Sequence, residues 1–468
     1  VRVPYVPESV KNEMREQIKQ EVLAQAHEER WGDPGALPAW MRSISVEGDL
    51  RVRYQHDLFD RSNNSEVDAQ GGFLGQATNS LAWAPDLSNS THDRDRMNLR
   101  ARFGIKSKLN DDFSAGIRLS TGNGDSPTAV SQTQGNYFNK YSTYFDQAYI
   151  KYNHEGETSA VAGRFANPFV GTDLTWPDDI NFDGLAVSYK PALGAGHAAF
   201  LTMGAFPLQE FETSRADKWL YGAQVGASLN IAPNVQFRAG LSYYDFHGVE
   251  GVSDTNIGSS SSSFDIRPNL STQYPSKVRQ KGNTLFRINN NGVEDNGQNS
   301  IWGLASKFRP VDLSAEVTFL HFFPVTVKAS LDFIKNIGFQ EDDIHARAGS
   351  VLNSYTVAKK TNAVQAKVAV GVDRIDRAGQ WQSFLAYRRF ERDAWLDAFT
   401  DTTWHLGGTN YQGWSIGGQY GIAPRTSLGL RWTSTRNLSD ATLYGSAPGY
   451  SDAILKIDVL QLELNTRF

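Results

Sequence analysis

The chain of 468 residues contains no cysteine and only four methionines. The missing thiols exclude disulfide frameworks, thiol catalysis, cysteine-held zinc and covalently attached haem, and they suit a protein that crosses an oxidising compartment. No stretch approaches the roughly 18 consecutive apolar residues of a membrane helix, and mean hydropathy is −0.45, so helical membrane spans are excluded. Charge of one sign is not in excess either: 46 Lys+Arg against 51 Asp+Glu leave a net charge of −5. With no large basic block, a nucleic-acid partner has no support. None of the nine His sits in a recognisable nucleophile context, so no catalytic site is expected. Glu341-Asp342-Asp343 and Asp178-Asp179 lack calcium-loop spacing, so no metal and no cofactor are expected. The chain begins without Met and without a secretory apolar region, and is read as starting after a removed signal peptide.

What is present is aromatic residues, glycine and two different periodicities. Aromatics reach 12 % and Gly 41. From Glu8 to Arg30 the chain is charged and free of glycine, and Val10, Met14, Ile18 and Val22 recur every four positions beside Leu23 and Ala26. This is the narrow stripe of an amphipathic helix, stopped at Trp31-Gly32-Asp33-Pro34-Gly35, where Gly and Pro cannot continue it cheaply. Residues 1–42 are therefore read as a helical leader with a linker, and 43–468 as a separate all-β domain.

After Met41 the period becomes 2. Ile44, Val46, Gly48, Leu50, Val52 and Tyr54 alternate with Ser45, Glu47, Asp49, Arg51, Arg53 and Gln55, which is a strand with one apolar and one charged face. The same alternation marks strands at 43–56, 96–108, 113–121, 142–153, 158–166, 182–190, 196–206, 217–230, 235–247, 299–309, 324–335, 362–374, 380–391, 411–421, 426–437 and 453–468. Asp312 to Phe319 also alternates and is either a further strand or part of a long turn. Connections alternate between short turns such as 109–112 and 231–234 and long segments such as 57–95, 122–141, 167–181 and 248–298. A soluble sandwich has no reason to collect its long loops at one end. An antiparallel barrel inserted from one side of a membrane does. Because lipid offers backbone groups no partner, a sheet can span it only as a closed barrel. Tyr54, Tyr144, Tyr152, Trp219, Trp414 and Trp432 fall toward run ends, as interfacial girdles require. The expected fold is thus a closed antiparallel transmembrane β-barrel of about sixteen strands preceded by a short amphipathic helix.

The last strand ends in Phe468, with Leu460, Leu462 and Leu464 alternating before it. This resembles the C-terminal signature by which outer-membrane proteins are recognised for insertion, Thr466 being a departure from it. The barrel resembles Gram-negative general porins. Pro4-Tyr5-Val6-Pro7-Glu8, the helix after it, Gly48-Asp49-Leu50-Arg51-Val52-Arg53 and Gly163-Arg164-Phe165-Ala166-Asn167-Pro168-Phe169 resemble the "putative porin" family that carries a short N-terminal helix. The resemblance implies a homotrimer in outer-membrane lipid, passing small hydrophilic solutes and doing no bond chemistry. It gives Phe468, Leu464 and Leu462 the role of an assembly signal. An even strand number puts the N-terminus on the short-turn side, so the helix is expected in the periplasm.

On the polar phase of the first three strands, Arg51, Arg53, Arg100, Arg102 and Arg118 fall near mid-height at about 3.3 Å per residue and would form a basic wall. In general porins the third external loop folds inward. Here 167–181 is the third long connection, so the resemblance places Asp173, Asp178 and Asp179 opposite that wall at a constriction. The bland alternative is that the arginines pair with Glu47, Asp49 and other neighbours simply to satisfy a wet wall. Two rival functions are a substrate-selective channel for organic anions or sugars, with few polar-phase aromatics disfavouring sugars, and a scaffold barrel binding a periplasmic or cell-wall partner.

Overall fold

The computed structural model describes residues 14–23, 43–63, 81–82, 86–87, 89–122, 124, 126–212, 216–253, 270–288, 301–352, 356–438 and 454–468. Sixteen long strands form the barrel. They are β1 (Ile44–Phe59), β2 (Arg94–Lys108), β3 (Phe113–Thr121), β4 (Thr143–His154), β5 (Thr158–Ala166), β6 (Asn181–Tyr189), β7 (His197–Gln209) and β8 (Lys218–Ala232), followed by β9 (Val235–His247), β10 (Pro310–Phe322), β11 (Val325–Asn336), β12 (Asn362–Gly371), β13 (Trp381–Phe390), β14 (Tyr411–Ala423), β15 (Thr426–Asn437) and β16 (Lys456–Arg467). Each pairs antiparallel with its sequence neighbours. The ring closes where β1 meets β16, from Asp49 opposite Arg467 to Phe59 opposite Ile457. The closed antiparallel barrel read from the period-2 pattern is the fold.

Residues 14–23 are helical (α1), with Met14, Ile18, Val22 and Leu23 all more than half exposed. The other residues of the expected helix and linker lie outside the described residues.

One expected stave is wrong. Of the expected strand 299–309, the described residues 301–309 do not span; Pro310–Phe322 does, pairing with β9 from Tyr243 opposite Val311 to Val235 opposite Phe319. The reason is burial on both faces. Trp302, Leu304, Ala305 and Phe308 are at most 4 % exposed, so this run reads as an apolar strand. Instead Trp302–Leu304 pairs with Leu285–Arg287, and the latter with Leu81–Ala82, in a small sheet inside the loops. The strand count is preserved because 310–322 replaces 299–309.

The two faces follow the alternation. Leu50, Tyr54, Met97, Phe103, Leu241, Leu331, Leu430 and Leu462 are exposed to the lipid side. The inward phase is polar at mid-height, but toward the loop end it carries Phe182, Phe206, Tyr244, Phe246, Phe390 and Tyr411, all buried. The polar phase therefore holds more aromatics than its mid-height sequence suggests, and they pack loops instead of lining open water. Phe169 and Trp176 from the loop after β5 meet them: Phe169 to Tyr244 at 5.2 Å, Trp176 to Phe182 at 4.7 Å and Trp176 to Trp395 at 4.9 Å, all edge-to-face. Such pairs add about 0.5–1.5 kcal/mol each beyond area burial. A short helix α2 (Glu341–Ala348) buries Ile344 and Ala348 against the loops, and Asp343 pairs with Lys307 and Arg347.

At the closing seam, Phe468 exchanges two backbone hydrogen bonds with Gly48, each 3.1 Å. Its ring lies over Gly48, where an added Cβ would sit 2.3 Å from the ring and 2.7 Å from the Arg102 carbonyl oxygen. Only glycine fits beneath that ring. Deleting Phe468 should remove both bonds and the cover, at a cost of roughly 2–3 kcal/mol. The temperature at which the folded band disappears on semi-native electrophoresis should fall; an unchanged temperature would show that the ring ends functionally at residue 467.

Candidate pore constriction

The first wall of the site is built by the register of β1, β2 and β3. Arg51 stands opposite Arg100, Asp49 opposite Arg102, and Arg118 opposite Gly104. All point inward because their strands give the other phase to lipid. Like charges directly opposite one another repel, so this wall requires carboxylates. Asp49 accepts from Arg100 at 2.7 Å and from Arg102 at 2.6 Å. Glu463 on β16 pairs with Arg53 at 2.5 Å, and Asp146 on β4 with Arg118 at 2.6 Å. Arg51 makes no ion pair among the described residues; its Nη2 donates to Ser131 Oγ at 2.8 Å. Glu47 pairs with Lys106 on the same wall.

The loop 167–180 folds into the barrel and crosses it. Asn167 Oδ1 accepts from the Phe169 N–H at 3.0 Å and starts the turn. Val170 N–H donates to Gln224 of β8 at 2.8 Å, and Thr172 Oγ1 donates to Asp332 of β11 at 2.5 Å. Asp173 accepts from Gln365 of β12 at 2.8 Å and pairs with Arg388 of β13 at 3.0 Å. The chain then returns, and Asp179 meets Arg100 at 3.0 Å and Arg102 at 3.1 Å on β2. In a ring of sixteen, β2 faces the β10–β11 side, so one short loop is bonded to opposite walls.

The three loop carboxylates differ in environment. Burial acts to raise the pKa of Asp173, but Arg388, Lys367 and Arg431 outweigh it and hold the group well below the usual carboxylate range. Asp179 is likewise pushed up by burial and held low by Arg100, Arg51 and Arg102. Asp178 is raised, by burial and by the charges of Asp173, Asp179 and Asp401. Among the sequence-identified residues, Asp179 thus joins the Arg100–Arg102 wall, whereas Asp173 is bound on the far side. Sequence reasoning missed Arg388, which is fully buried and stacks 4.4 Å from the Trp404 ring, and also missed Asp146 and Glu463. Arg388 is on the inward phase with Ala386 and Phe390, a lone cation in an apolar phase, and that was the available signal.

Between wall and loop lies a 470 Å³ cavity lined by Arg51, Arg53, Arg96, Asp179, Asp401 and Thr403, among others. A polar space bounded by fixed charges can admit small polar solutes and discriminate their charge.

The chain belongs to the family described as "Putative porin", which matches residues 1–468. It is an outer-membrane β-barrel channel. It is similar to OprB of Pseudomonas putida in a high-pH structure, at 11 % identity, a TM-score of 0.49, and coverage of 94 % of this chain and 97 % of that one. It is also similar to Salmonella typhi OmpF in complex with daunomycin (10 % identity, TM-score 0.43, 91 % and 97 % covered). A third is an anion-selective porin from Comamonas acidovorans (12 %, 0.43, 91 % and 99 %). No curated protein matches the chain in sequence.

Because the Asp173 pKa is depressed in the folded state, its contribution is present above the unfolded value near 3.8 and is lost only when pH falls through the lower folded value. Loop attachment should survive mild acid. Asp173→Asn leaves the Arg388 charge buried without its carboxylate, a loss of about 3–5 kcal/mol. Amide exchange at residues 170–176 should quicken strongly between pH 5 and 8. Asp178→Asn should act oppositely and slow it. Equal exchange in all three proteins would show that neither carboxylate governs the loop.

Proposed function

We propose that the chain is a passive diffusion channel for small hydrophilic solutes and ions. Its constriction is the space between the Arg51, Arg53, Arg100, Arg102 and Arg118 wall and the loop carrying Asp173, Asp178 and Asp179. The observation that carries this reading is the loop 167–180, bonded to β13 at one end and β2 at the other. Fixed opposite charges across a narrow aqueous gap orient dipolar solutes, and low-dielectric walls focus the field.

Four of the five wall arginines have a carboxylate within 4 Å, which leaves Arg51 as the wall arginine without a direct ion pair among the described residues. A mild anion preference follows, set mainly by Arg51. A channel selective for organic anions is the second reading, favoured by the same residue facing the 470 Å³ cavity. A sugar channel and a scaffold barrel have less support, since the inward aromatics are buried under loops. Helix α1 is assigned to the periplasm, where its exposed Met14, Ile18 and Val22 stripe would be covered by self-association in a homotrimer, because a lone helix of this length is marginal in water. Phe468, Leu464 and Leu462 are assigned as the assembly signal, and deleting Phe468 should also lower the yield of inserted barrel.

Reversal potentials in a salt gradient test the filter. Arg51→Ala should lower anion preference more than Arg118→Ala, and Arg51→Ala/Arg100→Ala/Arg118→Ala should abolish it. The effect should shrink toward 1 M salt, where the screening length is about 3 Å. Wild-type selectivity in the triple variant would remove these arginines from the filter. Removing residues 1–30 should weaken trimers in cross-linking while conductance stays near wild type; a large rise in conductance would mean that the segment plugs the lumen.

A further inference from the structure

A second group of cations faces away from the lumen. At the loop end of the barrel, Arg389 on β13 stands opposite Gln412 on β14, Gln412 opposite Arg436 on β15, and Arg436 opposite Lys456 on β16. They occupy the outward phase, in line with the exposed Leu385, Trp414, Trp432 and Leu460. Neighbouring strands lie about 4.8 Å apart, so the row is roughly 14 Å long. Arg436 directly opposite Lys456 is a like-charge pair that destabilises a bare sheet. Arg389 donates to Gln412 Oε1 at 3.1 Å and is 3.8 Å from Glu391 Oε1, and Lys456 donates to Ser62 Oγ at 3.2 Å. Arg436 makes no ion pair among the described residues.

These side chains border a groove of 530 Å³ to which Lys360 adds a fourth cation, with Glu391 the carboxylate among the described residues that line it. An adjoining 530 Å³ groove shares Gln412, Arg436 and Lys456 and reaches down to Tyr387 and Trp414. It also contains Asp60 and Asp458; Asp60 accepts two hydrogen bonds from Ser62, and no ion pair joins Asp458 to Arg436 or Lys456 among the described residues. Tyr387 and Trp414 pack with ring centroids 4.7 Å apart, and they open a third, lipid-facing trough of 530 Å³ kept shallow-walled by Ala315, Ala329 and Ala366. Tyr and Trp on a barrel's outer surface sit at headgroup level. The cationic row is one outward position farther from the bilayer centre, about 7 Å, the level of lipid phosphates. From Tyr387 and Trp414 the trough runs sideways across β10–β13, and its small apolar side chains are fit for hydrocarbon.

We infer that Arg389, Arg436 and Lys456 form a binding site for the phosphate of a membrane-lipid headgroup on the loop-side leaflet, with an acyl chain in the trough that runs from Tyr387 and Trp414 across β10–β12, beside the Arg389 end of the row. The phosphate relieves the Arg436–Lys456 repulsion, and charge-assisted hydrogen bonds from guanidinium hold it. The site rests on the placement of the barrel in a bilayer, not on the lumen filter.

The test uses the full chain in detergent, with binding read by native mass spectrometry. Titrants are diphosphorylated lipid A, its dephosphorylated form, and inorganic phosphate. Wild type should bind the phosphorylated lipid at least tenfold more tightly than Arg389→Gln/Arg436→Gln/Lys456→Gln, and Arg436→Lys should retain most of the affinity. Ala329→Trp, which fills the trough, should weaken lipid binding but not the response to inorganic phosphate. Conductance and heat-modifiability of the triple variant should match wild type, which separates failure of this site from failure of the channel. Equal lipid binding in wild type and the triple variant overturns the inference, as does equal binding of the dephosphorylated lipid. Inorganic phosphate binding as tightly as the lipid would assign the row to free anions, and loss of oligomers with unchanged lipid binding would assign it to a second copy of the chain.

Discussion

The structure depends on one constraint: backbone N–H and C=O groups within hydrocarbon have only each other. Each unpaired group costs several kcal/mol there, so the first and last strands must meet, and β1 with β16 does so over eleven residue pairs. Everything else is placed by that closure. With the sheet shut, side chains have two destinations, lipid or lumen, and the period-2 pattern becomes a sorting rule. The arginines of β1, β2 and β3 are neighbours inside because Leu50 and Ala101, and Ile105 and Ile117, are paired on the outside.

The loop 167–180 shows how a polar segment is held inside the barrel. Hydrogen bonds to water compete with every bond it makes, so isolated polar contacts would contribute little. The loop instead inserts Phe169, Leu174 and Trp176 into an inward aromatic cluster, and the excluded water strengthens the nearby Asp173–Arg388 pair. Apolar packing fixes where the loop lies. The ion pairs at Asp173 and Asp179 fix how it is turned.

Much of this was legible in the sequence, for the reason that lipid enforces alternation over whole strands. Fifteen of the sixteen staves follow from it, and 310–322 carried the same pattern in Asp312 to Phe319. The error at 299–309 arose where Trp302–Leu304 and Leu285–Arg287 are buried on both faces, a state in which apolar content no longer reports on a membrane. For the site, inward direction was legible for Arg51, Arg100 and Arg118, because direction is set by local phase. Partnership was not. Asp173 meets Arg388 across 215 positions of chain and Arg53 meets Glu463 across 410, and such pairings exist only once the ring is closed and the loop has turned inward.

The loop 167–180 is also a strut. Anchored to β11–β13 on one side and to β2 on the other, it spans the barrel as a spoke spans a wheel. A thin-walled cylinder under lateral pressure fails first by becoming elliptical, since bending a sheet is easier than stretching its hydrogen bonds. Here ovalisation along that diameter would pull Asp173 from Arg388 or Asp179 from Arg100, so the soft mode is the one the spoke opposes. A loop bonded across the barrel in this way opposes flattening of the cross-section it spans.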